Sequence, residues 1–250
     1  MSYGQVKTHV PYLSRHALDS QAALLLHEYG LEYRPVTAPP VPIDAILENF
    51  LKLTFSFMDL RAIFRAADVD GALWMERGEV GVDQRLDPDA DPRKEGRYNF
   101  TLAHEIGHWQ LHRNLPAAPA DPLLPFSDRA AVRPTYICRS NARNRVEIQA
   151  NGYASSLLMP EPMVFAAWRR FHGVESMTLE ELRQRGLTAS EVNGLIQQGW
   201  FPTDENQYTA SVVKSVVGPL AGLFHVSLQA MRIRLEELGL LPRISLRLLR

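Results

Sequence analysis

The sequence predicts an α+β fold with one small sheet, on three observations. Strand-like alternation is concentrated in residues 53–86, in LTFSFMDL, DGALWMER and GEVGVDQRL. Helical patterns fill the chain before and after that region. One of those helices carries His104-Glu105-Ile106-Gly107-His108, two histidines one turn apart. An order of helix, small sheet, then many helices places both element types around a single core.

The first element is SRHALDSQAALLLHEYG, with Ala17, Ala22, Leu24, Leu25 and Leu26 on its apolar side and Gly30 as its expected stop. VTAPPVPID is a Pro-rich connector, and IDAILENFLKL continues as a short helix. The three strands follow, with turn residues such as Asp70-Gly71 and Arg77-Gly78 between them. DPDADPRKEG is a polar loop leading to the helix NFTLAHEIGHWQLH, residues 99–112, with Asn99 as a candidate cap. Five prolines between 116 and 134 rule out a continuous helix or central strand there and predict a long loop. TYICRS is strand-like, and RNRVEIQANGYASSLLMP is a helix closed at Pro160. Four more helices are expected: PMVFAAWRRFH, TLEELRQRG with a Thr178–Glu181 capping box, SEVNGLIQQG, and SLQAMRIRLEELG with Ser227 as N-cap and Gly239 as stop. The organisation is therefore one domain over 1–250. It comprises an N-terminal helical extension (1–36), a part with the sheet and histidine helix (37–160), and a helical C-terminal part (161–250).

The chain has 250 residues, 46% hydrophobic and 22% charged, with a net charge of −1. That balance suits a globular protein and carries no global basic excess for nucleic acid. The arginines are uneven, however: five lie between Arg129 and Arg145 without an acid. Arg232, Arg234, Arg243, Arg247 and Arg250 cluster near the C-terminus. A single cysteine, Cys138, excludes an intrachain disulfide. No signal-peptide core and no run of 18 apolar residues occurs, so a soluble cytoplasmic protein is the expectation.

His104 and His108 share a helix face, so both can reach one ion at about 2.0–2.1 Å, the zinc–nitrogen distance. Glu105 sits about 100° round the helix, where it can flank the ion and handle the proton of its water. This is the chemistry of H-E-x-x-H. With 8 histidines in the chain, the bare pattern arises by chance in roughly one or two such chains in a hundred, so context matters. Gly107 supplies some, because a mid-helix glycine costs about 1 kcal/mol against alanine and implies that something needs its space. A catalytic zinc keeps three protein ligands. His112 is about 12 Å along the axis from His104, too far to chelate the same ion, and fits a supporting or core role. Glu147 is the best third candidate, in a helix of small and apolar residues. On residue types alone it equally fits a cap placed three residues after Asn144.

NFTLAHEIGHWQLH together with EIQANGYASSLLMP resembles the ImmA/IrrE family of bacterial metallopeptidases, and the similarity extends over roughly residues 37–242. The resemblance implies a zincin-like, gluzincin-type fold. It places the zinc ligands on His104, His108 and Glu147 and the catalytic glutamate on Glu105. It also implies a helix-turn-helix repressor as substrate, cleaved to derepress a mobile-element, stress or defence operon. Asn151, one turn after Glu147, is a candidate to accept a ligand histidine's ring N–H. Cys138, nine residues before Glu147, is a candidate inhibitory fourth ligand, with an inert buried thiol as the alternative. Tyr136, Tyr153, Tyr208 and His172 are unranked candidates for an oxyanion donor.

Two other functions compete. FHVSLQAMRIRLEELG fits a helix-turn-helix in which Arg232 and Arg234 face DNA, and the basic patches allow DNA as an activator. A zinc-holding scaffold that sequesters a repressor without cutting it is the third reading.

Overall fold

The computed structural model describes residues 10–115, 134–139, 144–184 and 205–242. The expected helix SEVNGLIQQG and nearly all of the Pro-rich stretch lie outside them. The chain forms two compact units, Met1–Pro160 and Glu161–Arg250.

In the first unit, α1 spans Arg15–Glu32, with Ser14 capping the Ala17 N–H. It runs two residues past Gly30, the expected stop. A side chain at Gly30 would sit 3.1 Å from the Pro35 Cα, so that glycine serves the chain's return past the helix end. A short helical segment, α2, covers Ile43–Ala45 and widens into a π-turn over Ile46–Phe50.

The sheet follows. Strand β1 is Thr54–Met58, helix α3 is Leu60–Phe64 and strand β2 is Val69–Trp74. Strand β3 is Glu79–Asp83, and β4, Tyr136–Arg139, is the predicted TYICRS strand. The spatial order is β1-β3-β2-β4, parallel between β1 and β3 and antiparallel elsewhere. Asp59 caps α3 at the Ala62 N–H, which ends the first strand earlier than its apolar run suggested. Asp70-Gly71 is no turn: both residues lie inside β2.

A bulge between Val69 and Gly71 shifts the β2–β4 register. Bulges change which face a side chain takes. Here Val69 packs with Ala72 and Trp74 against Leu60 and Phe64, and Ile137 of β4 joins that cluster. Gly71 faces the opposite way, toward the histidine helix.

That helix, α4, spans Glu95–His112 and starts four residues before Asn99, continuing directly from a tight turn over Pro92–Lys94. It is the centre of the unit. Leu102, Ala103 and Ile106 are fully buried, and each buried leucine or isoleucine contributes about 1.5–3 kcal/mol. Helix α5, Arg145–Leu158, lies against α4, and Asn144 caps it by accepting the Glu147 N–H at 3.0 Å. The helices meet at Gly107, where a Cβ would come within 3.1 Å of the Ala150 carbonyl and 3.3 Å of the Tyr153 Cβ. The space expected at Gly107 is therefore filled by α5.

The second unit holds α6 (Glu161–His172), α7 (Leu179–Gln184), α8 (Glu205–Leu223) and α9 (Leu228–Glu237). Thr178 and Glu181 form the reciprocal capping box, and Ser227 caps α9 at the Ala230 N–H. Gly239 takes the left-handed conformation at φ +71°. Among the described residues no single helix is long and apolar enough to cross a membrane.

Candidate metal centre

Helices α4 and α5 bring His104, His108 and Glu147 together in the buried interior of the first unit. The two Nε2 atoms lie 2.9 Å apart. Glu147 Oε2 is 3.2 Å from His104 Nε2, and Oε1 is 3.3 Å from His108 Nε2. A tetrahedral ion with bonds of about 2.0–2.1 Å separates its donors by about 3.3 Å, so the two Nε2 atoms and a Glu147 carboxylate oxygen fit one face of such a coordination sphere. The donor types, two imidazoles and a carboxylate, are those zinc accepts. The residues present therefore fit the ion.

The other ring nitrogens explain why both Nε2 atoms face inward. His104 Nδ1 is 2.9 Å from Asn151 Oδ1, an oxygen that only accepts, so Nδ1 carries a proton and Nε2 is the nitrogen left to face a metal. His108 reaches the same state through a longer chain. Its Nδ1 lies 3.0 Å from His112 Nδ1, and His112 Nε2 lies 3.0 Å from Gln149 Oε1. Gln149 Nε2 in turn donates to the Pro11 carbonyl at 2.6 Å. Fixing this chain from the Pro11 end makes His112 Nε2–H a donor and His112 Nδ1 an acceptor. His108 Nδ1–H then donates, and His108 Nε2 is left as a lone pair. Tyr136 stacks on the His108 ring at 4.3 Å between centroids and holds it from the sheet side. His112 thus supports a ligand rather than joining the set.

The electrostatics follow from burial. Burial lowers His108 to about 3, so its imidazole is neutral. Burial opposes the charge of Glu147, but the adjacent His104 and His108 imidazoles hold its carboxyl down at about 2. For His104 burial again opposes the charge, yet the adjacent Cys138, Glu147 and Glu105 raise it well above the usual histidine value. Burial lifts Glu105 to about 8, with His104 opposing and Glu147 adding to the shift.

Glu105 is wholly buried, and neither carboxylate oxygen has a hydrogen-bond partner among the described residues. A carboxyl in that position is costly when ionised unless a cation lies close by. Its place is made by Gly71: a Cβ there would lie 2.5 Å from Glu105 Oε1 and 2.7 Å from Thr101 Cγ2. Cys138, from β4, lies beside His104 and Glu105, with donor atoms of all three within 4.8 Å of one another. Burial pushes its thiol up, with His104 opposing.

Of the residues expected from sequence, His104, Glu105, His108, Glu147, Asn151, His112 and Cys138 all gather here. Glu147 turns its carboxylate to the histidines rather than back to Asn144, so the helix is capped by Asn144 alone. Gln149, Gly71 and the stacking role of Tyr136 had no spacing signal. The Tyr136 hydroxyl donates to the His112 carbonyl, and Tyr153 is buried among the helices, its phenol raised by burial and then by the charge of Glu28 on α1. His172 belongs to the second unit, and the Tyr208 side chain lies outside the described residues. Arg234, expected on a recognition helix, is wholly buried, and Arg139 makes two hydrogen bonds to Asp68.

A small mixed sheet, an H-E-x-x-H helix and a third donor from a second helix define a zincin-like metallopeptidase. Residues 90–185 match the family model Peptidase_M78, the IrrE N-terminal-like domain, and that segment is of the ImmA/IrrE kind. The match begins just before α4 and takes in both ligand helices and β4. No curated protein matches the chain.

Proposed function

We propose that this metallopeptidase is a zinc-dependent endopeptidase that cuts a helix-turn-helix repressor and so derepresses a mobile-element, stress or defence operon. One observation carries the catalytic part: two imidazole nitrogens 2.9 Å apart, each within 3.3 Å of a Glu147 carboxylate oxygen, flanked by a buried carboxyl without a hydrogen-bond partner among the described residues. Zinc supplies Lewis acidity when bound, lowering the pKa of coordinated water to about 7 and polarising a peptide carbonyl.

His104, His108 and Glu147 would hold the ion, oriented by Asn151 and by the His112–Gln149 chain. A cation beside Glu105 favours its ionised form and opposes the rise that burial causes. Glu105 then takes a proton at a carboxylate oxygen and returns it to the leaving amine nitrogen. The second helix anchors Glu147 through the Asn144 cap, so the donor set forms only when α4 and α5 are docked.

The substrate class rests on the family resemblance. For its binding mode, β4 is the last strand in the sheet order and pairs with β2 alone among the described residues. An extended peptide can add to such an edge through main-chain hydrogen bonds. It would then run past Tyr136 and Cys138, the two β4 residues at the metal centre.

The test uses zinc-loaded protein and a helix-turn-helix repressor encoded beside it, with fragments read by mass spectrometry. Cleavage by wild type and none by Glu105→Gln supports the proposal. Binding without cleavage by both proteins would favour a sequestering scaffold, and cleavage by both would remove Glu105 from the chemistry.

A further inference from the structure

We propose that Cys138 is the fourth protein donor of the resting metal centre, a thiolate that closes the site until it is displaced. This deepens the zinc reading above and rests on it.

Successive β4 residues point to opposite faces of the sheet. Ile137 packs into the cluster around Leu60 and Phe64, on one face. Tyr136 and Cys138 take the other face, where Tyr136 covers the His108 ring and Cys138 meets His104. In register, Cys138 lies opposite Gly71, at the bulge in β2. Gly71 is also the residue whose missing side chain admits Glu105. The thiol, the ligand imidazole and the unpartnered Glu105 carboxyl therefore converge on one space.

The strand is tied on both sides of Cys138. Arg139 donates two hydrogen bonds of 3.0 Å to Asp68. The Thr135 N–H donates to the Leu73 carbonyl at 2.7 Å, and the Tyr136 hydroxyl donates to the His112 carbonyl. Zinc–sulfur bonds of about 2.3 Å and zinc–nitrogen bonds of about 2.0–2.1 Å place donors about 3.6 Å apart. Cys138 Sγ lies within 4.8 Å of a His104 donor nitrogen, and closing that distance to about 3.6 Å brings the thiol into the coordination sphere of an ion held by His104.

Three protein donors leave a zinc ion open to water, whereas four close it. With an ion held by His104, His108 and Glu147, Cys138 Sγ would take the place of a water, which would return to solvent together with the thiol proton. Glu105 then has no water to deprotonate, and the centre is silent. A peptide adding to the β4 edge would act on the strand that carries the thiol, which links substrate docking to release.

Cobalt(II) replacing zinc in the full chain tests this by absorption. Cys138 is the single cysteine, so a thiolate-to-cobalt charge-transfer band in the near ultraviolet has no other intramolecular source. The expected result is that band in wild type and its loss in Cys138→Ser and Cys138→Ala, both of which still take up one cobalt ion. One bound cobalt ion in wild type without the band would overturn the proposal and leave the metallopeptidase reading intact. Failure of wild type and both variants to bind cobalt or zinc would overturn both.

Discussion

Replacing Gly107 by alanine probes the contact on which the donor set depends. The new methyl would lie 3.1 Å from the Ala150 oxygen, 3.2 Å from its Cα and 3.3 Å from the Tyr153 Cβ. Comfortable carbon contacts need about 3.5–4.0 Å, so α5 must recede by a few tenths of an ångström. Two of those neighbours are helix backbone and the third is a Cβ, so no flexible side chain can turn aside. Overpacking of this kind costs about 1–3 kcal/mol, offset by about 1 kcal/mol of improved helix propensity. The net expectation is a loss of about 0–2 kcal/mol in the metal-free protein. Because α5 carries Glu147 while α4 carries both histidines, the same shift opens the donor triangle. Zinc affinity should fall about tenfold, the lower end of what misoriented ligands cost. Urea denaturation of metal-free protein and zinc competition with a chromophoric chelator measure the two effects. A variant about 1 kcal/mol more stable, with wild-type zinc affinity, would refute the close packing of the two helices.

Gly71→Ala should separate chemistry from metal binding. Its methyl displaces the Glu105 carboxyl, so zinc content should stay at the wild-type level while peptide cleavage is largely lost. Gln149→Leu removes the acceptor that fixes the His112 tautomer, and zinc affinity should fall about 10–100-fold in chelator competition. Zinc affinity should also fall with pH. The His104 pKa is raised in the metal-free protein, so a proton competes with zinc until the pH exceeds that value. Below it, affinity should drop by up to about tenfold per unit, and a flat profile between pH 6 and about 8 would contradict this.

Much of this centre was legible in local pattern. The four-residue spacing of His104 and His108 is set by helix geometry, whereas Glu147 fitted a cap as well as a ligand on residue types, and only the family resemblance set it beside the histidines, where Asn151 follows one turn on. The strands were legible because apolar and polar residues alternate. Where sequence misled, a tertiary neighbour had overridden a local preference. Asp70-Gly71 has turn composition, yet Gly71 sits in β2 because the Glu105 carboxyl occupies its side-chain space. Gly30 has the composition of a helix stop, yet α1 passes it because Pro35 folds back against it. Asn99 has the composition of a cap, but the turn at Pro92–Lys94 already starts the helix. Gln149, and the part Tyr136 plays beside the histidines, escaped notice because their His112 contacts lie 37 and 24 residues away, and no local rule connects them.

The central claim is that His104, His108 and Glu147 hold zinc while Glu105 does the proton chemistry. Elemental analysis of purified wild type, Glu147→Ala and Glu105→Gln tests it most directly. The account predicts near-stoichiometric zinc in wild type and in Glu105→Gln, with loss of zinc in Glu147→Ala. Full zinc in Glu147→Ala, or none in wild type after metal loading, would contradict it.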